Sequence, residues 1–273
     1  MKFSTFLREY FPDVYQEYSM EMYKGKYKIQ EDTPTVSKPS QYFELPDNLE
    51  RISNLPTDHP AVQYILSRQI PQKEHFDIYY TENFHALVRQ YHPEKKVSPH
   101  PRIVLPFYDR NRNLMGFQGR ALPSNYNDIR YITIKMDENL PKIYGLHRIG
   151  SSPEIVYVVE GPFDSLFLDN SVAMMGSDIN HDTIVDLTGC DNIVYVFDNE
   201  RRNRQIISKM VKTVTDGHKI VVWPKTIGEK DLNDMILSGL TRDDILSIIQ
   251  RNTNQGMTAQ MNLSMWSKVG TPK

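Results

Sequence analysis

Four short apolar runs in about the last 120 residues constrain the fold of this chain more than any other feature. The runs are EIVYVV from Glu154, SVAMM from Ser171, NIVYVF from Asn192 and KIVVW from Lys219. Each is strand-sized and rich in β-branched residues, and helical stretches or turn residues separate them. Continuous apolar runs are typical of parallel strands buried on both faces, which need crossover helices between neighbours. The pattern therefore predicts an α/β fold with a doubly wound parallel sheet.

The preceding part of the chain predicts a mixed α+β arrangement. A helical stretch covers His59 to Arg68, and a strand-like run, RIVLPFYD, begins at Arg102. A turn at residues 111–113 leads to a returning run, LMGFQGRAL, as in a β-hairpin. Ahead of these lies a short amphipathic helix that ends at Pro12, then a proline-containing linker. We divide the chain into an N-terminal helix and linker (1–40), a basic α+β subdomain (41–150), an α/β domain (151–240) and a C-terminal helical tail (241–273).

Charge is arranged in two blocks that the formal net charge of −2 conceals. Arg89 to Arg148 holds eleven basic and five acidic residues, whereas Ile149 to Glu200 holds ten acidic residues and no Lys or Arg. The first block favours polyanions and the second favours cations. A basic surface beside an acidic pocket suits an enzyme that handles nucleotides through divalent metal. The alternative is two solvated faces of opposite sign that dock on each other.

Composition excludes several other classes of protein. The longest apolar stretches are far shorter than the roughly 20 residues of a membrane-spanning helix. The N-terminal sequence MKFSTFLREYF has no apolar core typical of a secretory signal, so we expect a cytoplasmic protein. The single cysteine, Cys190, excludes an internal disulfide and a cysteine-rich zinc site, so we expect no zinc in this chain.

Acidic residues follow three of the four predicted strands. Glu160 comes directly after the first, Asp198 and Glu200 after the third, and Asp231 a short loop after the fourth. Ligands of open parallel sheets bind at these carboxyl ends, and carboxylate oxygens suit Mg²⁺ or Mn²⁺. Asp164 lies one turn further, in a helix opened by Pro162. The alternative is that Asp164 and Asp231 only stabilise helix N-termini.

Four segments in this region resemble the Toprim family, which includes primases, topoisomerases and some nucleases. They are VVEGPFDSLFL, MMGSDIN, VYVFDNE and KDLNDMI, in family order. Upstream, RIVLPFYDRNRNLMGFQGRAL followed by RYIT and KIYGL resembles the basic subdomain that precedes Toprim in bacterial-type primases. The amino-acid sequences of these segments, together with the tail QGMTAQMNLS, are similar to those of T-even-type phage primases. If the chain is phage-encoded, we expect it in the host cytoplasm. The resemblance therefore predicts a Toprim parallel-sheet domain preceded by a basic α+β primase subdomain.

Two departures from the family pattern stand out. The common acid pair of the family is Asp-x-Asp, whereas this chain has Asp198-x-Glu200, a departure that it shares with T-even-type primases. The sequence also lacks the cysteines of the N-terminal zinc-binding module that such primases use for template recognition. The resemblance therefore leaves open that a zinc module is a separate polypeptide or has been lost.

The resemblance implies template-directed synthesis of short RNA primers by two-metal nucleotidyl transfer, with Mg²⁺ or Mn²⁺ as cofactor. It assigns Asp198 and Glu200 as first metal ligands and Asp164 and Asp231 as supporting ligands. Glu160 would activate the 3′-hydroxyl or bind the second metal. Single-stranded DNA and nucleoside triphosphates would contact basic residues of the motif-like segments, namely Arg102, Arg120, Arg130, Lys135, Lys142 and Lys230.

Two other functions stay open from the sequence. One is a Toprim nuclease that uses the same acids to cleave nucleic acid. The other is a catalytically weak accessory module that binds single-stranded DNA or a replicative helicase, which the methionine-rich tail from Met257 favours. No Walker phosphate-binding loop occurs in the chain, so unwinding requires a separate helicase as partner.

Overall fold

Two β-sheets make up the framework of this computed structural model, which describes residues 43–47, 49–123, 129–175 and 180–268. All of these residues lie in one compact unit. The predicted N-terminal helix and linker at 1–40 lie outside the described residues, as does most of the glycine turn in MMGSDIN.

The first sheet is antiparallel, in the order β1-β2-β3-β4-β5. Its strands are β1 (Glu50–Arg51), β2 (Tyr79–Thr81), β3 (Arg102–Tyr108), β4 (Leu114–Ala121) and β5 (Tyr131–Lys135). The predicted hairpin is confirmed as β3 and β4. Its turn is closed by Asp109, whose Oδ1 accepts the N–H groups of Asn111 and Asn113 at 2.8 Å each.

In the described part of the chain, the α-helices α1 (Pro60–Ser67) and α2 (Phe84–Arg89) accompany this sheet. The predicted helix at His59–Arg68 is confirmed as α1, since Pro60 suits its first position and His59 Nδ1 accepts the Ala61 N–H at 3.1 Å. The ring of Phe84 packs on β4 at Gly119, where a Cβ atom would lie 2.3 Å from the ring. Glycine at this position therefore lets α2 reach the sheet.

The second sheet has the order β11-β10-β9-β7-β8-β6. Its strands are β6 (Ile143–Tyr144), β7 (Val156–Val159), β8 (Ser171–Met174), β9 (Ile193–Val196), β10 (Lys219–Val221) and β11 (Thr253–Asn254). The four central strands pair in parallel, which confirms the four predicted strands and their direction. The edge strands β6 and β11 are antiparallel and were not predicted, because two residues carry no periodicity. β6 precedes the predicted limit at 150 and β11 follows the limit at 240, so the second sheet extends beyond the predicted α/β domain at both ends.

Among the described residues, six further α-helices connect or cover these strands. They are α3 (Pro162–Ser165), α4 (His181–Thr188), α5 (Arg204–Thr215), α6 (Leu232–Leu237), α7 (Arg242–Asn252) and α8 (Gly256–Trp266). The predicted tail helix is confirmed as α7, which begins with a capping box between Thr241 and Asp244. None of the helices in the described ranges combines the length and hydropathy that a bilayer crossing requires.

The predicted C-terminal helical tail contains a second helix, α8, which includes the methionine-rich segment. Ala259, Leu263 and Trp266 are buried against the rest of the fold, and the Trp266 indole donates to Asn199 Oδ1 at 3.3 Å. The methionines of the tail lie on the solvent side of the same helix. The tail therefore packs locally through one set of apolar residues and exposes another.

Candidate active site

Strand ends of the second sheet place four carboxylates around one cleft of about 340 Å³. β7 and β9 pair in parallel with Val159 opposite Val196, so Glu160 and Asp198 leave the sheet at the same edge. Asp164 in α3 and Asp231 at the N-cap of α6 complete the set. The opposite wall consists of residues from the first sheet and its helices. The lining includes Tyr64, Arg68, Gln118, Arg120, Arg130, Tyr131, Phe163, Lys230 and Asn233.

Asp164 lies deepest among the acids. Its Oδ1 accepts the backbone N–H of Asn233 at 3.1 Å. Burial and the negative charges of Asp231 and Asp198 raise the pKa of Asp164 well above its usual range, although that N–H opposes the rise. Because a carboxylate in this position repels its neighbours, the site favours a cation that neutralises several of them at once.

Gly161 allows this placement of Asp164. A Cβ atom at residue 161 would lie 2.5 Å from Asp164 Oδ2, which is closer than two such atoms approach. The carboxylate, being the free end of a side chain, would therefore rotate away from its present position.

We expect Gly161→Ala to reduce catalytic activity on the order of tenfold with little loss of folding stability, because only the Asp164 carboxylate is displaced. Steady-state kinetics and urea unfolding measure the two effects. Gly228→Ala is a matched control, because a Cβ atom at Gly228 meets no atom within 4 Å. Equal activity of both variants would show that the position of Asp164 is unimportant.

Asp198 and Glu160 are close to each other at the strand ends. Glu160 Oε2 accepts the backbone N–H of Asp198 at 3.4 Å. Burial, and then the charge of Glu160, raises the pKa of Asp198 to about 7, although Lys230 acts in the opposite direction. Part of the Asp198 population is therefore protonated at neutral pH when no other cation is bound.

Two lysines neutralise the acids in this structure. Lys230 Nζ lies 3.5 Å from Asp198 Oδ2 and 3.8 Å from Glu200 Oε1. Lys209 Nζ lies 2.6 Å from Glu160 Oε1. Asp198 and Glu200 thus reach the same ammonium group, although Glu200 lines a neighbouring cavity rather than the cleft. Glu200 also accepts the Asn203 amide at 2.8 Å.

The carboxylates of the site have the chemistry of divalent-metal ligands, although they lie farther apart than the ligands of a bound metal ion would. Carboxylate oxygens are the ligands that Mg²⁺ and Mn²⁺ prefer, and the half-buried, mutually repelling Asp164 and Asp198 gain most from a cation. Within the described ranges, no three acidic, histidine or cysteine side chains are close enough to coordinate one ion. Coordination would therefore require rotation of these side chains and release of Lys230 from Asp198 and Glu200.

Asp198→Asn gives a test of this repulsion through stability. Because the pKa of Asp198 is higher in the folded chain (about 7) than in the unfolded chain (about 3.9), folding loses stability as pH rises between these values. Without divalent metal, we expect Asp198→Asn to be more stable than wild type by on the order of 2 kcal/mol at about pH 8, and nearly equal at about pH 4. Urea unfolding in a chelator measures this. A difference that does not change with pH would contradict the burial of a charged Asp198.

Arg120 and Arg130 face the acids across the cleft, with Lys230 on the acidic side. Arg120 is 5% exposed, and its guanidinium lies over the rings of Tyr64 at 5.0 Å and Tyr131 at 4.8 Å. Its Nε is buried without a hydrogen-bond partner in the described part of the chain. A planar cation held by aromatic rings, with donor capacity to spare, suits a phosphate group.

Three of the predicted phosphate contacts lie elsewhere. The prediction for Arg102 is wrong, because its side chain is 0% exposed and donates to the carbonyls of Gly119 and Ile129 at 3.1 and 2.9 Å. Lys135 is engaged with Glu138, whose Oε2 lies 3.7 Å from its Nζ. Lys142 does not line the cleft, but its carbonyl accepts the N–H of Met175, which does.

Sequence reasoning missed a pair that joins the two halves of the cleft. Arg68 Nη1 donates to Asn233 Oδ1 at 2.9 Å, and Asn233 Nδ2 donates to the Arg68 carbonyl at 2.7 Å. Asn233 in turn holds Asp164 through its N–H. Arg68 lies outside the basic block, so charge counting gave no signal for it. Asn233 lies inside the KDLNDMI segment, and its position between two acids was the available signal.

Comparison with known proteins gives a consistent set of relatives. The chain is 34% identical over 276 aligned residues to the DNA primase of Enterobacteria phage T4, which covers 97% of this chain and 78% of the relative. A DnaG primase catalytic domain bound to single-stranded DNA has a similar fold, with a TM-score of 0.60 and 16% identity over 80% of this chain and 78% of that one. The catalytic core of the E. coli primase has a TM-score of 0.58 and 17% identity over 77% and 78%. No family model matches the chain.

Proposed function

The chain belongs to the DNA primase family, and from this premise we propose that the acidic cleft joins ribonucleotides on a DNA template. The chain is thus a nucleotidyltransferase of the DNA-directed RNA polymerase type and corresponds to a primase catalytic core. The observation that carries the proposal for the site is the convergence of four carboxylates with Arg120, Arg130 and Lys230 on a single cleft.

The acids have separate roles in this proposal. Asp198 and Glu200 would hold Mg²⁺ or Mn²⁺ as first ligands, with Asp231 and Asp164 as supporting ligands. Two bound ions would neutralise charge that develops on the attacking and leaving oxygens. Glu160 accepts the proton of the attacking 3′-hydroxyl, whose oxygen bonds to the α-phosphorus as pyrophosphate leaves. Its contact with the Asp198 N–H places the Glu160 carboxylate beside the metal ligands.

The basic wall binds the phosphates. The Arg120 guanidinium is fixed by aromatic contacts before any ligand arrives, so its orientation costs little when a triphosphate binds. Lys230, which contacts Asp198 and Glu200 in this structure, would be available to a triphosphate if a metal ion neutralised these two carboxylates. Arg68 holds Asn233 and thereby keeps the acidic half of the cleft aligned with the basic half. We propose that residues 41–150 bind template and nucleotide while residues 151–240 supply the metal ligands.

Template-directed synthesis is the test of this proposal. The purified chain is incubated with single-stranded DNA, Mg²⁺ and labelled ribonucleotides, with and without a replicative helicase. We expect short RNA whose composition follows the template. Loss of DNA ends without RNA synthesis would instead identify a nuclease that uses the same acids. Binding of single-stranded DNA with neither reaction would identify an accessory module, or a requirement for a separate zinc-module polypeptide.

We propose that α8 docks the replicative helicase. Met257, Met261 and Met265 recur every four residues, so they form one stripe, and they are 76%, 60% and 67% exposed. Exposed methionines adapt to apolar partner surfaces. The buried Ala259, Leu263 and Trp266 hold the helix in place, so the exposed methionines can be replaced without removing the side chains that pack α8 on the fold.

Replacing all three methionines by Ser is expected to abolish helicase stimulation, roughly a tenfold or greater loss of helicase affinity, while synthesis by the chain alone is unchanged. Pull-down with the helicase and primer synthesis measure the two effects. The matched control is Leu237→Ser, which changes an apolar residue 41% exposed on α6. Loss of both functions in the triple variant would contradict a separable docking helix.

A further inference from the structure

A second cavity, of about 440 Å³, lies between α4 and α5 on one face of the second sheet. Its floor includes Val158, Tyr195 and Phe197, and its size is within the range of small-molecule sites, about 300–1,000 Å³. Glu160 lines both this cavity and the acidic cleft. The two cavities therefore share one wall residue at the carboxyl ends of the strands, where ligands of open parallel sheets bind.

Aromatic rings in this cavity are arranged in parallel pairs. The rings of Tyr195 and Phe197 are inclined by only 12° with centroids 6.0 Å apart. The imidazoles of His181 and His218 stack at 3.7 Å with an angle of 10°. His181 Nδ1 is 3.2 Å from the Tyr195 hydroxyl, which ties one pair to the other. Flat, mutually supported rings are the surfaces on which nucleobases stack.

Both lysines that line this cavity are already paired with carboxylates. Lys209 contacts Glu160 at 2.6 Å, and Lys212 contacts Asp216 at 2.7 Å. Burial, and then the neighbouring His218, lowers the pKa of His181, which favours the uncharged imidazole at residue 181. A ligand of this cavity is therefore recognised by its flat apolar faces and by hydrogen bonds, in contrast to the phosphate-binding wall of the cleft.

We propose that this cavity binds a nucleobase, separately from the metal and phosphate site, at a position next to Glu160. The inference rests on the proposed function only in assigning the ligand to the nucleotides that the enzyme handles. The base belongs either to a free ribonucleotide or to an oligonucleotide, since both present the same ring. Binding next to Lys209 and Glu160 places the ligand beside the acid that faces the 3′-hydroxyl in our proposal.

The test measures binding of 2-aminopurine riboside, a fluorescent nucleoside without phosphate, to the full chain. We expect saturable quenching that changes little between low and high salt, because no phosphate contact is involved. His218→Ala should weaken binding at least about tenfold, as expected for the loss of a base-stacking ring. His218→Phe should restore it, because the ring surface remains. Lys225→Ala, outside this cavity, should bind like wild type.

Several results would overturn the proposal. These are absence of quenching, binding that His218→Ala leaves unchanged, or an affinity that falls steadily as the salt concentration rises. Displacement of the probe by ATP, by a short oligonucleotide or by both supports the proposal and identifies the source of the base, whereas displacement by neither contradicts it. Asp198→Ala separates this inference from the proposed function, since it should abolish synthesis and leave nucleoside binding intact. Synthesis without nucleoside binding would sink this inference alone.

Discussion

Replacement of Asp198 by Ala is expected to reduce primer synthesis at least about 100-fold, the largest effect of any single change in the cleft. Removing an outer-shell partner of a metal ligand already lowers metal affinity or activity roughly 10- to 100-fold, so removing a ligand itself should lower activity further. Asp198 lies just after the end of β9, and both Lys230 and Glu160 contact it. The variant removes one of the mutually repelling carboxylates, so the loss of activity should come without loss of folding stability.

Asp186→Ala is the matched control for this prediction. Asp186 belongs to the same acidic block but is exposed on α4, away from the cleft. It should retain wild-type synthesis on the same template. Near-normal activity of Asp198→Ala, at any Mg²⁺ or Mn²⁺ concentration, would contradict its assignment as a metal ligand.

Arg120→Met is expected to lower kcat/KM for ribonucleotides on the order of 100-fold. A charge-assisted hydrogen bond from a guanidinium contributes roughly 1.5–3 kcal/mol, and Met keeps apolar volume between Tyr64 and Phe163. Arg120→Lys keeps the charge but loses the planar fork and the stacked geometry, so an intermediate loss of about tenfold is expected. Nucleotide titrations at saturating template measure both variants.

The comparison residue for Arg120 is Arg89, which is exposed at the end of α2 within the same basic block. Arg89→Met lowers net charge equally, so it corrects for long-range attraction of polyanions. If Arg89→Met and Arg120→Met lost activity to the same extent, the effect would be general electrostatics and the phosphate assignment for Arg120 would fail.

The position of Glu160 and Asp198 at one edge of the sheet could be predicted because strand order and parallel direction bring successive strand ends together, whereas their role as metal ligands stays a prediction. Glu160 and Asp198 are 38 residues apart, yet pairing of Val159 with Val196 places them side by side. The approach failed where a side chain's environment depends on packing. Every residue of β3 is buried, so Arg102 lies in the core although its charge predicted a surface position.

Residues that meet only through tertiary structure could not be predicted. Arg68 and Asn233 are separated by 165 positions, and no local pattern relates α1 to α6. The edge strand β11 consists of two residues and depends on pairing with β10 rather than on its own propensity. The cavity between α4 and α5 was also not visible in the sequence, because its rings come from separate strands, helices and loops.

The most direct test of the account is a crystal structure of the chain with Mn²⁺ and a ribonucleoside triphosphate, using the anomalous signal of manganese. We predict manganese peaks within about 2.0–2.5 Å of oxygens of Asp198 and Glu200, with Lys230 released from both carboxylates and the triphosphate on Arg120. Manganese bound away from these acids, or a triphosphate bound outside the cleft, would contradict the central claim that the acids and arginines of this cleft form one nucleotidyl-transfer site.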